Sequence, residues 1–390
     1  MKITKLSEEN FEDSINLSMY SFQYKISEEQ IRKFKEKLKN QDIFGIYDGN
    51  DLAAKLHIVP FNIIFQEEVW EMGGVAGVAT YPEYRRKGYV KALILHSLAY
   101  MKQKDQIISM LHPFDISFYR KYGWEVFCDR RKITIEKKDL QMIDSSSGTI
   151  KRYHKDSHHK SVETIYNSFS KRFAGMLVRK TEMWLDMVYG DLHVAVTYNE
   201  DGEGIGYILY EVKERVMEIE EMVSLNYQAA INLWNFICQH DSMVDKVHII
   251  TSNHDAFPYF LRQPKQKTEI SPYAMARIVD VETCLSKYQF VHNDADVILH
   301  LKDQFAPWNN GTYFISSGKV KFYPSEKKDS CLHDPKRGIR LTINALTALL
   351  FGYKRPSELH EINELIGSKK EILTLEALIP RHKPYIYDFF

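Results

Sequence analysis

A cationic turn separates an apolar run from an amphipathic helical pattern in the stretch VATYPEYRRKGYVK, residues 78–91. Pro82 ends the preceding strand because it cannot donate to a β-ladder. Gly88 permits the tight backbone in which successive N–H groups point into one concavity, and the helix predicted from Tyr89 directs its positive dipole end there. Three consecutive cations raise the local positive potential: Arg85, Arg86 and Lys87. The stretch therefore predicts a pyrophosphate site.

Other phosphate-binding patterns do not occur in the sequence. There is no GxxxxGK[ST], and GGVAGV at 73–78 lacks the GxGxxG spacing and lies within a strand pattern. A solvated basic helix start would explain an isolated RRKG string better than a phosphate site. The order of strand, proline, cationic turn and apolar helix face favours the phosphate site. That helix face consists of Val90, Leu93, Ile94, Ser97, Leu98 and Met101.

The composition limits the class of protein. Lys plus Arg equals Asp plus Glu at 52 each, so no global field favours nucleic acid or an anionic membrane. No run reaches the roughly 18 apolar residues of a membrane span, and the polar N-terminus has no signal-peptide core. The HHK string at 158–160 has no further ligands at metal spacing, so no metal is expected. Four distant cysteines predict reduced thiols in a cytoplasmic protein: Cys128, Cys238, Cys284 and Cys331.

Three segments are predicted, at residues 1–145, 146–285 and 286–390. The first has two helices, for which Ser7 and Ser27 are the expected N-caps, then antiparallel strands and a strand–helix–strand–helix–strand series. The second repeats this order, but NYQAA stands where the first has YPEYRRKGY. The third is a small unit with strands followed by helices. The sequence thus predicts an α+β protein with an internal duplication and one phosphate site.

The strand, cationic turn and helix resemble motif A of the GNAT N-acetyltransferases, whose signature is [QR]-x-x-G-x-[GA]. Arg85 and Gly88 fit the signature, and Val90 departs from its last position. The resemblance implies acetyl-CoA as cosubstrate and no metal. It assigns twelve residues to the cosubstrate: Val78, Ala79, Thr80, Arg85, Arg86, Lys87, Gly88, Tyr89, Val90, Lys91, Phe114 and Asp115.

The whole chain is similar to the Eis (enhanced intracellular survival) acetyltransferases. These have one GNAT copy with the motif, one without it and a C-terminal sterol-carrier-protein-like domain, and they are hexamers. The resemblance includes LHPFDISFYRKYGW and an aromatic C-terminus after a proline. It implies that Tyr119 is the general acid and that the α-carboxylate of Phe390 is the general base.

The chemistry is compatible with these two roles. A thiolate with a pKa of ~8.5 and a tyrosine at ~10 differ by roughly 2 kcal/mol, which proton transfer tolerates. A free carboxylate at ~3.5 cannot readily deprotonate an alkylammonium at ~10, so it is expected to orient the amine and accept a proton, through water, once attack has begun. Tyr122 is the rival for the role of Tyr119. Phe389 and Phe390 could instead be a hydrophobic tail.

The expected substrate is a primary amine: a polyamine, an aminoglycoside-like molecule or a lysine side chain. The first helical region offers Phe22 and Tyr24 to the pocket, but no acid where aminoglycoside-modifying relatives have one. Pocket charge would then come from the C-terminus and from Asp388, unless Asp388 is only solvated. The alternative function is a CoA- or lipid-binding regulatory protein that has lost catalysis. A lipid cavity in the third segment is a further option.

Overall fold

The computed structural model describes residues 2–143, 147–291, 295–325 and 337–390. Cys331 and the predicted boundary between residues 145 and 146 lie outside these ranges. Within them, Cys128, Cys238 and Cys284 are buried free thiols, as the sequence predicts. No helix in the described ranges combines the length and apolar character needed to cross a bilayer.

The first segment has the predicted order of elements after a short initial strand, β1, that was not predicted. They are β1 (Ile3–Lys5), α1 (Phe11–Phe22), α2 (Glu28–Leu38), β2 (Asp42–Asp48), β3 (Asp51–Phe65), β4 (Glu68–Thr80), α3 (Tyr89–Gln103), β5 (Ile108–Leu111), α4 (Ile116–Arg120) and β6 (Glu125–Glu136). Ser27 caps α2 and accepts the Gln30 N–H at 3.3 Å, as predicted. Ser7 begins a 3-10 turn that leads into α1. The Ser27 cap satisfies a backbone N–H group that a helix start leaves without a partner, whereas at Ser7 the N–H donates to the Asn10 side chain at 3.2 Å.

The second segment repeats the series of strands and helices. Its elements are β7 (Thr149–Tyr153), α5 (Lys160–Ser170), β8 (Met176–Leu177), α6 (Thr181–Met183), β9 (His193–Tyr198), β10 (Gly204–Lys213), β11 (Val216–Ser224), α7 (Tyr227–Cys238), β12 (Lys246–Thr251), α8 (Phe257–Phe260), β13 (Lys267–Ile278) and α9 (Val281–Lys287). In place of the cationic turn, Asn226 caps α7 by accepting the Ala229 N–H at 2.9 Å. The Asn226 side chain therefore occupies the start of α7, where the first copy leaves the helix N–H groups open.

The described strands of these two segments form one 13-stranded sheet. Strand β13 lies between β5 and β6 and is antiparallel to both, and β6 continues the sheet by pairing with β12. The last strand of the second copy is thus inserted into the first copy. The sequence patterns give no sign of this exchange, because hydrophobic alternation does not specify a strand's neighbour.

The third segment forms its own five-stranded sheet, in the order β16-β15-β14-β17-β18. Its elements are β14 (Val297–Lys302), β15 (Gly311–Ser316), β16 (Lys319–Pro324), β17 (Ile339–Thr342), α10 (Ile343–Phe351), α11 (Pro356–Glu361), β18 (Leu365–Ile366) and α12 (Lys369–Leu378). Helix α10 is apolar on nearly every side, and it is buried, as its sequence predicts. Phe351 stacks on Phe65 of β3 with ring centroids 4.7 Å apart. This contact joins the third segment to the first.

Candidate active site

The predicted phosphate turn has the expected backbone. Gly88 is left-handed with φ 82° and is the N-cap of α3, and its carbonyl accepts the Ala92 N–H at 3.0 Å. Arg86, two residues earlier, is also left-handed with φ 64°. No side chain caps α3, and no atom lies within 4 Å of the place where a Gly88 Cβ would stand. The first N–H groups of α3 therefore face an open concavity, which is the arrangement that binds anions at helix N-termini.

The cations of the turn are on the surface. Arg85, Arg86 and Lys91 are exposed, and Lys87 Nζ lies 3.5 Å from the Asp48 carboxylate. Val90, which departs from the signature, packs against the core of the first domain. The valine side chain, which replaces the Gly or Ala of the signature, is thus accommodated in the packing of this core.

Strand β5 is much shorter than β4 and pairs with only part of it. Their parallel pairing covers Met72 to Gly74 of β4 and ends there, although β4 continues to Thr80. On its other edge β4 has a bulge around Gly77, whose φ is 55°. A bulge leaves one residue unpaired and redirects the backbone. The predicted backbone donors lie in or just after this bulge: Val78, Ala79 and Thr80.

Phe390 reaches the point where the pairing of the two strands ends. A Cβ built on Gly74 would lie 2.8 Å from Cε2 of Phe390. The Phe390 ring also contacts Phe61 and His112, with centroids 4.9 and 5.1 Å away. The last residue of the chain thus packs on β4 of the first domain, between the bulge of β4 and the end of β5.

Tyr119 is buried in α4, the short helix that follows β5. Its ring makes edge contacts with Phe114 and Trp124, at 5.5 and 6.3 Å between centroids. Burial raises the pKa of Tyr119 to about 12, so its hydroxyl stays protonated at neutral pH. The rival, Tyr122, is also buried, but its ring packs on Phe305 of the third segment at 5.0 Å. This contact assigns Tyr122 a place in the domain interface.

Phe114 and Asp115 differ in their availability to a ligand. Phe114 is 74% exposed and covers the edge of Tyr119. The Asp115 carboxylate caps α4 by accepting the Phe118 N–H at 2.9 Å, and it also accepts from the Ser117 hydroxyl at 2.7 Å. These two hydrogen bonds lower the pKa of Asp115, and the bond from Ser117 has the larger effect. Its carboxylate therefore positions the helix that carries Tyr119.

His112 was not among the residues singled out from the sequence. It follows β5 directly, and its ring lies against Tyr273, Phe389 and Phe390. Among the described residues neither ring nitrogen has a hydrogen-bond partner. Burial lowers the pKa of His112 to about 4, against smaller opposing effects of the backbone at Tyr273 and Asp388. A neutral imidazole with two open nitrogens therefore borders Phe390. The one sequence feature that could have indicated His112 is its position directly after the buried strand β5.

The predicted substrate residues have different surroundings. Phe22 is the last residue of α1 and is 52% exposed, and Tyr24 lies just beyond it, half-buried. The role given to Asp388 needs correction. Its side chain is buried and its Oδ1 lies 2.8 Å from Nε of Arg179. That carboxylate is buried and bound by Arg179, so it does not face an amine pocket.

A buried lysine lies beneath α1, and no described residue provides it with a carboxylate partner. Lys55 of β3 is fully buried, and its Nζ donates to the hydroxyls of Ser14 and Ser18 at 3.0 and 2.5 Å. Lys55 Nζ is also 2.9 Å from Nε2 of His57. The other ring nitrogen of His57, Nδ1, lies 2.8 Å from the side-chain amide oxygen Oε1 of Gln41. Burial lowers the pKa of Lys55 to about 7. In the described ranges no group of three or more His, Cys, Asp and Glu side chains forms a metal site.

Comparisons with known proteins agree with this architecture. Two sequence families described as acetyltransferase (GNAT) domains match residues 2–127 and 175–278, and a sterol carrier protein domain matches 281–387. The chain is 21% identical to the N-acetyltransferase Eis of Mycobacterium tuberculosis over 329 residues, 79% of this chain and 77% of that relative.

Solved structures cover the whole chain. A probable N-acyltransferase from Enterococcus faecalis is 26% identical, with a TM-score of 0.91 over 100% of this chain and 99% of that one. Eis1 from Mycobacterium abscessus, at 18% identity, has the same fold, with a TM-score of 0.82 over 100% of both chains. The predicted fold class, two GNAT folds followed by a sterol-carrier-like domain, is confirmed. The chain belongs to the GNAT N-acetyltransferases and is an acetyltransferase of the Eis type.

Proposed function

We propose that the protein transfers the acetyl group of acetyl-CoA to a primary amine, by direct attack of the amine within a ternary complex. The observation that carries this proposal is the position of Phe390 on Gly74, where the pairing of β4 with β5 ends. This position brings the end of the chain to the strand whose bulge would hold the acetyl carbonyl. Acetyl-CoA supplies an activated acyl group whose sulfur can leave as a thiolate.

The described residues fit this cosubstrate. The open N–H groups and exposed cations around Gly88 would hold the pyrophosphate. Backbone N–H groups at Val78 and Ala79 would polarise the acetyl carbonyl, where negative charge develops during attack. Amine attack forms the C–N bond, and the C–S bond then breaks.

Tyr119 would donate its proton to the departing sulfur, and the Phe390 carboxylate would receive a proton of the amine through water. A tyrosine pKa of about 12 widens the mismatch with a free thiol near 8.5. Burial in the cleft would also raise the pKa of the CoA thiol, and this narrows the difference between the pKa values of the tyrosine and the thiol. The neutral His112 beside Phe390 offers a further acceptor or donor for the bridging water.

The amine class includes polyamines, aminoglycoside-like molecules and lysine side chains. Because Arg179 binds the buried Asp388 side chain, the carboxylate proposed to meet the ammonium is the terminal one. Phe22 and Tyr24 would contribute apolar contacts. This reduced charge favours amines with few positive charges over polycationic ones.

The test is a direct assay of thiol release, with acetyl-CoA and a panel of monoamines, polyamines, aminoglycosides and lysine peptides. Turnover with stoichiometric N-acetyl product supports the proposal. Tight CoA binding without thiol release for any amine would support the alternative, a regulatory protein that has lost catalysis. Light scattering would test the hexameric assembly that we propose from the resemblance to Eis.

Replacing Gly88 by Ala should weaken acetyl-CoA binding without changing the amine KM. Nothing lies near a Gly88 Cβ, so the effect comes from the left-handed backbone at φ 82°. A non-glycine residue there costs about 1–2 kcal/mol, which corresponds to a roughly 5–30-fold rise in KM for acetyl-CoA. The matched control is Gly49→Ala, which has φ 65° and equally open surroundings in the β2–β3 turn. An equal rise in the control would contradict the assignment.

A further inference from the structure

The C-terminal segment, residues 383–390, is held by the second GNAT domain before it reaches the first. The Ala174 N–H donates to the Lys383 carbonyl at 2.9 Å, and the Tyr385 N–H donates to the Ala174 carbonyl at 3.1 Å. Farther along, the Tyr273 hydroxyl contacts the carbonyls of Tyr387 and Asp388 at 3.2 and 3.3 Å. The second GNAT domain thus fixes the backbone of this segment up to two residues from its end.

A buried charge cluster fixes the side chain of the same segment. Arg179 is 1% exposed and binds two carboxylates: its Nε donates to Asp388 at 2.8 Å, and its Nη1 and Nη2 donate to Glu221 at 3.1 and 2.5 Å. The guanidinium lies over the ring of Tyr166 at 4.1 Å, and the Tyr207 hydroxyl donates to Glu221 at 2.7 Å. Every charge in the cluster has a partner.

The energetics of this cluster make it a rigid anchor. Burial raises the pKa of Glu221, and the carboxylates of Asp388 and Glu221 outweigh burial in raising the pKa of Arg179. Removing Arg179 would leave two buried carboxylates without their cation, and breaking such a buried pair typically costs about 3–5 kcal/mol. The Asp388 side chain therefore has one strongly favoured position.

The position of Asp388 and the packing of the Phe390 ring together restrain the end of the chain. Two residues span at most about 7 Å, so a displacement of Asp388 is transmitted to Phe390. Between them Phe389 is 71% exposed and contacts the His112 ring at 4.6 Å, so it restrains the chain little. The Arg179–Asp388 pair is the nearest ion pair in sequence to the terminus among the described residues.

We propose that Arg179 is a positioning residue for acetyl transfer, and that the second GNAT domain, which lacks the cationic turn, serves to hold the C-terminal segment in the active site of the first. The inference rests on the proposed function, in which the Phe390 carboxylate accepts the proton of the amine. Arg179 and Glu221 touch no atom of that site. They act through Asp388.

The first test is Asp388→Asn in the full-length chain. Asparagine preserves the shape and removes the negative charge by which Arg179 holds residue 388, while Glu221 keeps Arg179 in place. We expect kcat to fall by about 10–100-fold, since a displacement near 1 Å can cost a catalytic group that much. The KM for acetyl-CoA should not change, because Asp388 has no contact with the turn at Gly88. The control is Asp245→Asn, which breaks the exposed pair with Arg215 in the same domain and should leave kcat unchanged.

A second variant avoids the risk of misfolding. Tyr273→Phe keeps the ring and removes only the hydroxyl that contacts the two tail carbonyls. It should lower kcat several-fold with acetyl-CoA KM unchanged. Wild-type kcat in both Asp388→Asn and Tyr273→Phe would overturn the inference.

A double-mutant cycle separates positioning from general stability. In a chain that lacks Phe390, the terminal carboxylate belongs to Phe389 and is already displaced from the site. Adding Asp388→Asn to this shortened chain should therefore cause no further loss of kcat. Independent, multiplicative losses would show that Asp388 acts only through stability and would overturn the inference. If the shortened chain alone keeps wild-type kcat, the proposed function fails. If it loses activity but Asp388→Asn and Tyr273→Phe do not, only the inference fails.

Discussion

Replacing Tyr119 by Phe is expected to lower kcat by about 10³-fold, within the range that a positioned general acid contributes. The substitution removes one oxygen and leaves the contacts of the ring with Phe114 and Trp124 in place. The KM for acetyl-CoA should therefore change little. Steady-state kinetics of thiol release with one good amine substrate measures both parameters.

The pH dependence adds a second readout for the same group. Because burial raises the pKa of Tyr119 to about 12, the hydroxyl remains protonated up to about pH 10. Wild-type kcat should accordingly show no alkaline decline from this residue below about pH 11. The matched control is Tyr122→Phe, whose ring belongs to the interface with Phe305. A loss in Tyr122→Phe and not in Tyr119→Phe would reverse the assignment.

Replacing Lys55 by Met is expected to stabilise the protein at neutral pH. The folded pKa of Lys55 is about 7 and the unfolded value is about 10.4, so the folded state binds fewer protons between these values. The destabilisation is fully present below pH 7 and disappears as the pH rises towards 10.4. Its upper limit is about 4–5 kcal/mol at 1.36 kcal/mol per pKa unit.

The net gain should be smaller than this limit. Methionine leaves the hydroxyls of Ser14 and Ser18 and the His57 ring without the Lys55 donor, which costs about 1–3 kcal/mol. We expect the free energy of unfolding at pH 7 to rise by about 2 kcal/mol, and the variant to lose that advantage by pH 9. Urea unfolding at both pH values measures this, with exposed Lys138→Met as control. A variant that is less stable than wild type at pH 7 would contradict the buried-charge account.

The features that could be predicted from the sequence are local ones. Ser27 with its capping box, the hairpin between β2 and β3, and the left-handed Gly88 before α3 depend on residues within a few positions of each other. The cofactor turn could be recognised because strand, proline, cations, glycine and helix are consecutive. Tyr119 was found because it stands a fixed number of residues before Gly123, where α4 gives way to β6.

The features that could not be predicted depend on distant residues. Arg179 meets Asp388 across 209 positions, and nothing in either local sequence indicates a buried ion pair. An aspartate two residues from a proposed base suggested a substrate ligand, but its partner is an arginine of another domain. His112 stands out only because three rings from remote segments enclose it. These contacts require the assembled fold.

The insertion of β13 between β5 and β6 has a consequence for how this polypeptide is made. Strand β5 obtains its second neighbour from residues 275–278, and β6 pairs with β13 from residue 267 onward. During synthesis, the amino-terminal half therefore leaves the ribosome with one edge of β5 and both edges of β6 open, and these edges are prone to mispairing and aggregation until residue 278 has emerged. Cutting the gene between the two GNAT copies would not yield an autonomous enzyme. The two pieces would have to be produced together to recover a soluble particle.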